Sequence, residues 1–267
     1  MSTWVLASVS ATEPYVPPSA ADFEFPPMFS IGEFGVTKPM VLIFFSVALI
    51  AVFFIVAARR AEMVPGRWQF AAEEVYAFVR NGIARDNIGA HDFAKFVPLL
   101  VSLFAFVYLN NLFGIVPLIQ FPTMARIGYP ISLAIIVWVV WNYLGLKKHG
   151  ALGYLKHVSI IPGIPKASLL LVAPLEFFST IFVRPLSHAL RLFANMFAGH
   201  LLLLVFTLGA EYMFFESGSP IQMVLAPFAG GMAIVMTLFE ALIQLIQAYI
   251  FTLLAALYIA GALAEDH

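Results

Sequence analysis

The chain has 267 residues, 62% of them hydrophobic and 11% charged, and its mean hydropathy is +0.94, which places it among integral membrane proteins rather than soluble domains. A net charge of -1 with no basic patch excludes nucleic acid as a partner. The absence of cysteine excludes disulfides and thiolate chemistry, and the six histidines show no metal-ligand spacing, so neither a metal nor a cofactor is expected.

Residues 1–36 are rich in Pro, Ala and Ser, carry Glu13, Asp22, Glu24 and Glu33, and hold no Lys or Arg. They read as a loose extracytoplasmic tail; "WVLASVSA" (4–11) has the apolar core of a leader but no positive segment before it. The membrane domain then covers 37–267. A spanning helix needs about 20 apolar residues, and the sequence predicts ordinary spans at 39–58, 96–119 and 129–146, then runs of roughly twice that length at 168–210 and 221–264. After the first span, 67–85 sets Trp68, Ala71, Val75, Phe78, Val79 and Ile83 opposite Glu73, Glu74, Arg80 and Asn81. That is the pattern of an amphipathic helix lying in the interface of the lipid bilayer.

Lysine and arginine accumulate on the cytoplasmic side and so set the orientation. The segment 59–95 holds Arg59, Arg60, Arg67, Arg80, Arg85 and Lys95, and 147–168 holds Lys147, Lys148, Lys156 and Lys166, whereas the other side has only Lys38 and Arg126. The N-terminus is therefore expected outside and the C-terminal "AEDH" inside. Splitting each long run into two ordinary spans preserves that parity, so charge bias leaves five and seven crossings both open.

Inside the first long run, Arg184, His188, Arg191 and Asn195 follow helical spacings of four, three and four, and Glu176 and Thr180 extend the stripe toward the inner end. His200 lies about half a helical revolution away from Arg191 and faces elsewhere. The second long run carries a matching stripe of Thr237, Glu240, Gln244 and Gln247. An ionised group at the bilayer centre costs from about 3 to over 10 kcal/mol and normally faces a partner or water, so such stripes usually serve transport. Arg184 has the alternative of a structural charge paired with Glu176, His200 and Glu240 that of a buried pair holding helices together, and Asn110, Asn111 and Asn142 read as interhelical hydrogen-bonders. Gly230 and Gly231 are expected to permit close helix contact. Arginine stays protonated, so Arg191 acts as a fixed charge, with the titratable Glu176, His200 and Glu240 on either side of it. The layout is that of two partial aqueous paths separated by a positive charge, whose loading partner belongs to another subunit.

"RPLSHALRLFANMFAGHLLL" (184–203) and "FEALIQLIQAYIFTLLAALYIAGALAEDH" (239–267), with "VPGRWQFAAEEVYAFV", "NNLFGIVPL" and "ARIGYPISLAIIVWV" before them, resemble the bacterial subunit-a family of the rotary F-type ATP synthases. The resemblance covers about residue 37 to the C-terminus. It implies an all-α polytopic membrane protein of about five membrane helices plus the amphipathic one, the last two forming a long, strongly tilted hairpin against the c-ring. It implies a chain without a catalytic site of its own in the bacterial cytoplasmic membrane, with the c-ring of subunit c, the subunit b stator and the rest of the complex as partners. The translocated ion would be H+, with Na+ the lesser alternative. Arg191 matches the family's essential arginine, and Asn195 and Gln247 are its polar neighbours. His200 and Glu240 match the outer half-channel, and Glu176 an acidic position on the inner one. Ala194 stands where many members have Gly. Gln244, Arg184 and His188 are secondary candidates. A self-contained secondary transporter with its substrate site at Arg191 is the alternative, and the inverted repeats that class favours are not evident in the sequence.

Overall fold

The computed structural model describes residues 15–23, 26, 28–31, 34–59, 62–117, 119–159 and 166–264. The leader-like stretch 4–11 and residues 265–267 of the C-terminal "AEDH" lie outside the described residues. Among the described residues, four helices are long and apolar enough to cross a membrane, and a fifth apolar helix is shorter. The chain is an all-α polytopic membrane protein.

Helix α1 (Lys38–Arg59) leads to α2 (Arg67–Ala77), which continues through a π-helical stretch, Phe78–Arg85, and a last turn, Asp86–Ile88. α3 (Val97–Leu112) and α4 (Gly128–Ser159) follow. α5 (Lys166–Phe178) runs through a π-helical Ser179–Val183 into α6 (Arg184–Glu211), and α7 (Pro220–Leu263) closes the chain. One end of the bundle gathers 15–23, 34–37, 119–127 and 212–219; the other gathers 62–96, 151–159 and the end of α7. α7 is the central element, because 44% of its most apolar stretch is buried against 17% for α1. Its inward stripe of Ala226, Ala229, Ala233, Ala248, Ala255, Ala256 and Ala262 keeps side chains small where α3, α4 and α6 approach. Val79, Ile83, Leu100, Val107, Trp141, Leu192, Met196, Phe251 and Ile259 complete the core.

Several elements differ from the sequence expectation. The second span ends at Leu112 rather than 119, because Gly114 and Pro117 break the helix and the chain folds inward instead. Phe121, Thr123, Met124 and Ala125 of this segment are buried. Asn110 pins it: its Nδ2 donates to Ser46 Oγ at 2.9 Å, and its Oδ1 accepts from Thr123 Oγ1 at 2.7 Å. The third span, predicted as 129–146, continues to Ser159 through a reversal at Gly150, whose φ of 70° favours glycine. Residues 151–159 then lie back on the part of α4 before Gly150, where Tyr154 sits so closely against Gly145 that an added Cβ would clash with the ring. The long run predicted as 168–210 extends to Glu216 through a second π-helical turn, Tyr212–Glu216.

In the amphipathic segment Trp68 and Ala71 point outward while Val79 and Ile83 are fully buried, because π-helical winding shifts the face between the two halves. Gly230 and Gly231 do not serve close contact within this chain: a Cβ at either would meet nothing within 4 Å. The N-terminal tail is not loose throughout. A short helical turn, Ala20–Phe23, buries Phe23, and β1 (Phe29–Ile31) pairs antiparallel with β2 (Phe34–Val36).

Candidate functional site

Two polar clusters lie along the α5–α6 line, one near each end. In the first, Arg184 Nη2 donates to Glu176 Oε1 at 2.8 Å, and Thr180 Oγ1 donates to the same oxygen at 3.4 Å. Arg184 and Glu176 are eight residues apart, and the π-helical Ser179–Val183 lies between them. That segment loosens the usual backbone ladder, and Trp138 Nε1 donates to the Ile181 carbonyl at 2.9 Å. The pair is part-exposed, with 42% of the Arg184 and 25% of the Glu176 side chain accessible. It borders a cavity of about 230 Å³ that Tyr154, His157, Thr180 and Tyr258 also line. This is the structural ion pair weighed as one reading of Arg184, and it opens onto polar space.

The second cluster is enclosed. Glu240 is 3% exposed and Gln244 fully buried; Gln244 Nε2 donates to Glu240 Oε1 at 3.4 Å. The Glu240 carboxyl lies against α6 at Gly199, where an added Cβ would stand 3.8 Å from Glu240 Cδ. His200 is the next residue and is buried as well, but among the described residues no hydrogen bond joins it to Glu240. His200 Nδ1, Glu240 Oε2 and Gln244 Oε1 have no partner within the described chain. Buried polar groups in stable proteins are mostly paired, which sets these three atoms apart.

Arg191 stands between the clusters on a different face. At 1.5 Å rise per residue it lies about 13 Å along the helix from His200 and about 22 Å from Glu176. It is exposed, and among the described residues it has no ion-pair partner. Ser187, Ala194 and Ala198 beside it are small, so the guanidinium lies on an accessible strip of α6. One turn on, Asn195 Nδ2 donates to Gln247 Oε1 of α7 at 2.6 Å, tying the two helices at that level. His188 departs from the expected stripe: it is buried, stacked on Phe251 at 3.9 Å between ring centroids and edge-on to Tyr258. A spacing of three to Arg191 still turns it far enough toward α7 to fall inside the interface. Of the three asparagines, Asn110 bridges helices as expected, whereas Asn142 donates to Trp138 O of its own helix and accepts from Tyr154 Oη across the reversal at Gly150. Among the described residues neither polar side-chain atom of Asn111 finds a partner.

Two participants were not legible in the sequence. Tyr154 reaches the inner cavity only through the reversal at Gly150, and Phe23 touches His200 only because the tail docks. The glycine in the reversal was the one visible signal, and nothing around Phe23 marked it.

The fold and these clusters define a class: a polytopic helical membrane protein whose longest helices carry ionisable groups, part-exposed in one cluster and buried in the other, on either side of an exposed arginine. The profile of the ATP synthase A chain family matches residues 40–260, and the chain belongs to that family. It is 47% identical over 266 residues to ATP synthase subunit a of a Nocardioides species, covering 95% of each chain. It is 46% identical over 253 residues to ATP synthase subunit a of Pseudarthrobacter chlorophenolicus, covering 94% of each. The corresponding protein of Streptomyces lividans shares 42% over 257 residues, 94% of this chain and 88% of its own.

Proposed function

We propose that this chain is the proton-translocating stator subunit of the membrane sector of a bacterial F-type ATP synthase, with no catalytic site of its own. The observation that carries the reading is the placement of Arg191, exposed and without an ion-pair partner among the described residues, between one polar cluster that opens on a cavity and another that is enclosed. A fixed positive charge there holds the carboxylate of a passing partner ionised and bars a cation from crossing directly. The partner is the c-ring of subunit c, which meets the strip of small residues around Arg191 and the tilted α6–α7 hairpin. Subunit b and the rest of the synthase hold the chain in place.

In this reading the N-terminus is outside and the C-terminus cytoplasmic, as the bias of Lys and Arg indicates. Protons enter past His200 and Glu240, neutralise a ring carboxylate, and ride the ring around. They leave when that carboxylate meets Arg191, passing to the cavity beside Glu176 and Arg184. Asn195 and Gln247 position the helices at the arginine's level, Gln244 orients the Glu240 carboxyl, and His188 supports the interface behind it. One charge moving through 100 mV releases about 2.3 kcal/mol, enough to bias each ring step. Protons rather than sodium are the ion carried, with the ring setting that choice. The test is Arg191→Ala in inverted membrane vesicles: ATP-driven proton pumping is lost while the complex still assembles. Pumping at the normal rate refutes the reading.

A further inference from the structure

The 15–23 segment meets the helices through aromatic rings near its two ends, while Val16, Pro17, Ser19 and Ala20 between them are exposed. Tyr15 stacks on Tyr212 at 5.3 Å, at the end of α6, and Phe23 is 5% exposed. The Phe23 ring lies 4.7 Å from Phe197, 6.2 Å from Phe121 and 5.7 Å from His200, the last edge-on at 73°. These contacts close over the enclosed polar cluster. On its other side Phe23 forms part of the wall of a cavity of about 430 Å³, together with Arg126, Tyr129 and Phe197. That cavity lies at the end of the bundle that carries the tail. Phe23 therefore both lines the outer space and touches the imidazole. A benzene ring has no hydrogen-bond donor or acceptor to pass a proton on, and a ring packed among three others leaves no room for a chain of waters.

We propose that the N-terminal segment is a strap and that Phe23 is its gate, closing the way from the outer cavity to His200 when docked and opening it when the ring withdraws. The inference rests on the reading of His200 and Glu240 as the outer path. Aromatic contacts hold the strap near both ends, the Tyr15–Tyr212 stack and the Phe23 pocket, and residues 15–23 include no Lys or Arg. Phe23 is a positioning residue here, acting through access to His200 and not on the proton itself.

The chain contains no cysteine, so one introduced thiol reports on one position of this subunit. The experiment uses the assembled synthase in sealed vesicles, carrying His200→Cys, with silver ion added from the side of the strap. Reactivity of the thiol is compared with Phe23 intact, with Phe23→Ala and with Phe23→Leu. Phe23→Ala accelerates the silver reaction severalfold, Phe23→Leu restores most of the protection because it keeps the apolar bulk, and Tyr15→Ala gives an intermediate rate by freeing one anchor. Equal rates in all assembled variants overturn the gate. Should Phe23→Ala impair assembly, the Phe23→Leu and Tyr15→Ala rates decide alone: silver reactivity unchanged by Tyr15→Ala overturns the proposal. The parent reading fails separately, if His200→Cys with Phe23 intact pumps protons at the normal rate; the silver rates then still report on the strap.

Discussion

The Glu176–Arg184 cluster and the Glu240–His200 cluster lie on the same pair of long helices and differ in how their polar atoms are satisfied. Glu176 has an arginine at 2.8 Å, a threonine hydroxyl and a cavity beside it. Glu240 has one long hydrogen bond, from Gln244, and a carboxyl oxygen with no partner in the described chain. The first is a charge already compensated, at home near water. The second is a buried carboxyl with less compensation from its own chain, the arrangement that the proposed proton path uses. The surroundings differ too: the paired cluster borders an open cavity, whereas the other lies against Gly199 at Glu240 and Phe23 at His200.

The contrast breaks first at Glu240. Glu240→Gln removes the one carboxylate of the enclosed cluster and keeps its shape, and ATP-driven pumping in inverted vesicles falls by about tenfold or more, a barrier increase of at least ~1.4 kcal/mol. Pumping within twofold of normal means the enclosed cluster carries no protons. A second perturbation sharpens the Glu176 side. Gly145→Ala drives a methyl into the Tyr154 ring, lifts 151–159 off the part of α4 before Gly150 and costs about 1–3 kcal/mol of stability. It shows as a lowered melting temperature of the detergent-solubilised complex, and an unchanged value means the reversal is not packed as described. At the outer side Asn110→Ala strands Thr123 and Ser46 and costs about 1–3 kcal/mol by the same measurement. The smallest effect belongs to the compensated pair: Arg184→Gln leaves Glu176 beside the cavity with Thr180 still donating. Since part-exposed ion pairs contribute about 0–1 kcal/mol, stability changes little and pumping slows only modestly. A loss of pumping as severe as that of Glu240→Gln would show the two clusters are not different in kind.

The polar stripes were legible as helical spacings in two apolar runs, whereas the Asn195–Gln247 contact between them followed from the family resemblance and not from spacing. Span existence was legible from hydropathy. The end of α3 and the reversal in α4 were not, since apolar residues at 113–119 continue the hydropathy signal past the point where Gly114 and Pro117 stop the helix. His188 departs from the stripe because a spacing of three leaves it rotated from Arg191 on the same regular helix, and packing on Phe251 of α7, which the spacing does not show, takes it into the interface. Phe23 was invisible for a simpler reason: its role depends wholly on contacts with residues about one hundred and two hundred positions away.

The central claim is that the two clusters open to opposite sides of the membrane and meet only through the partner at Arg191. Sided access tests it directly. In sealed inverted vesicles, Thr180→Cys and His200→Cys are each placed alone in this cysteine-free chain, and silver ion is added to the exposed cytoplasmic face. The account predicts prompt reaction at position 180 and reaction at position 200 only after the vesicles are permeabilised. Equal prompt reaction at both positions would mean one continuous pore, and would contradict it.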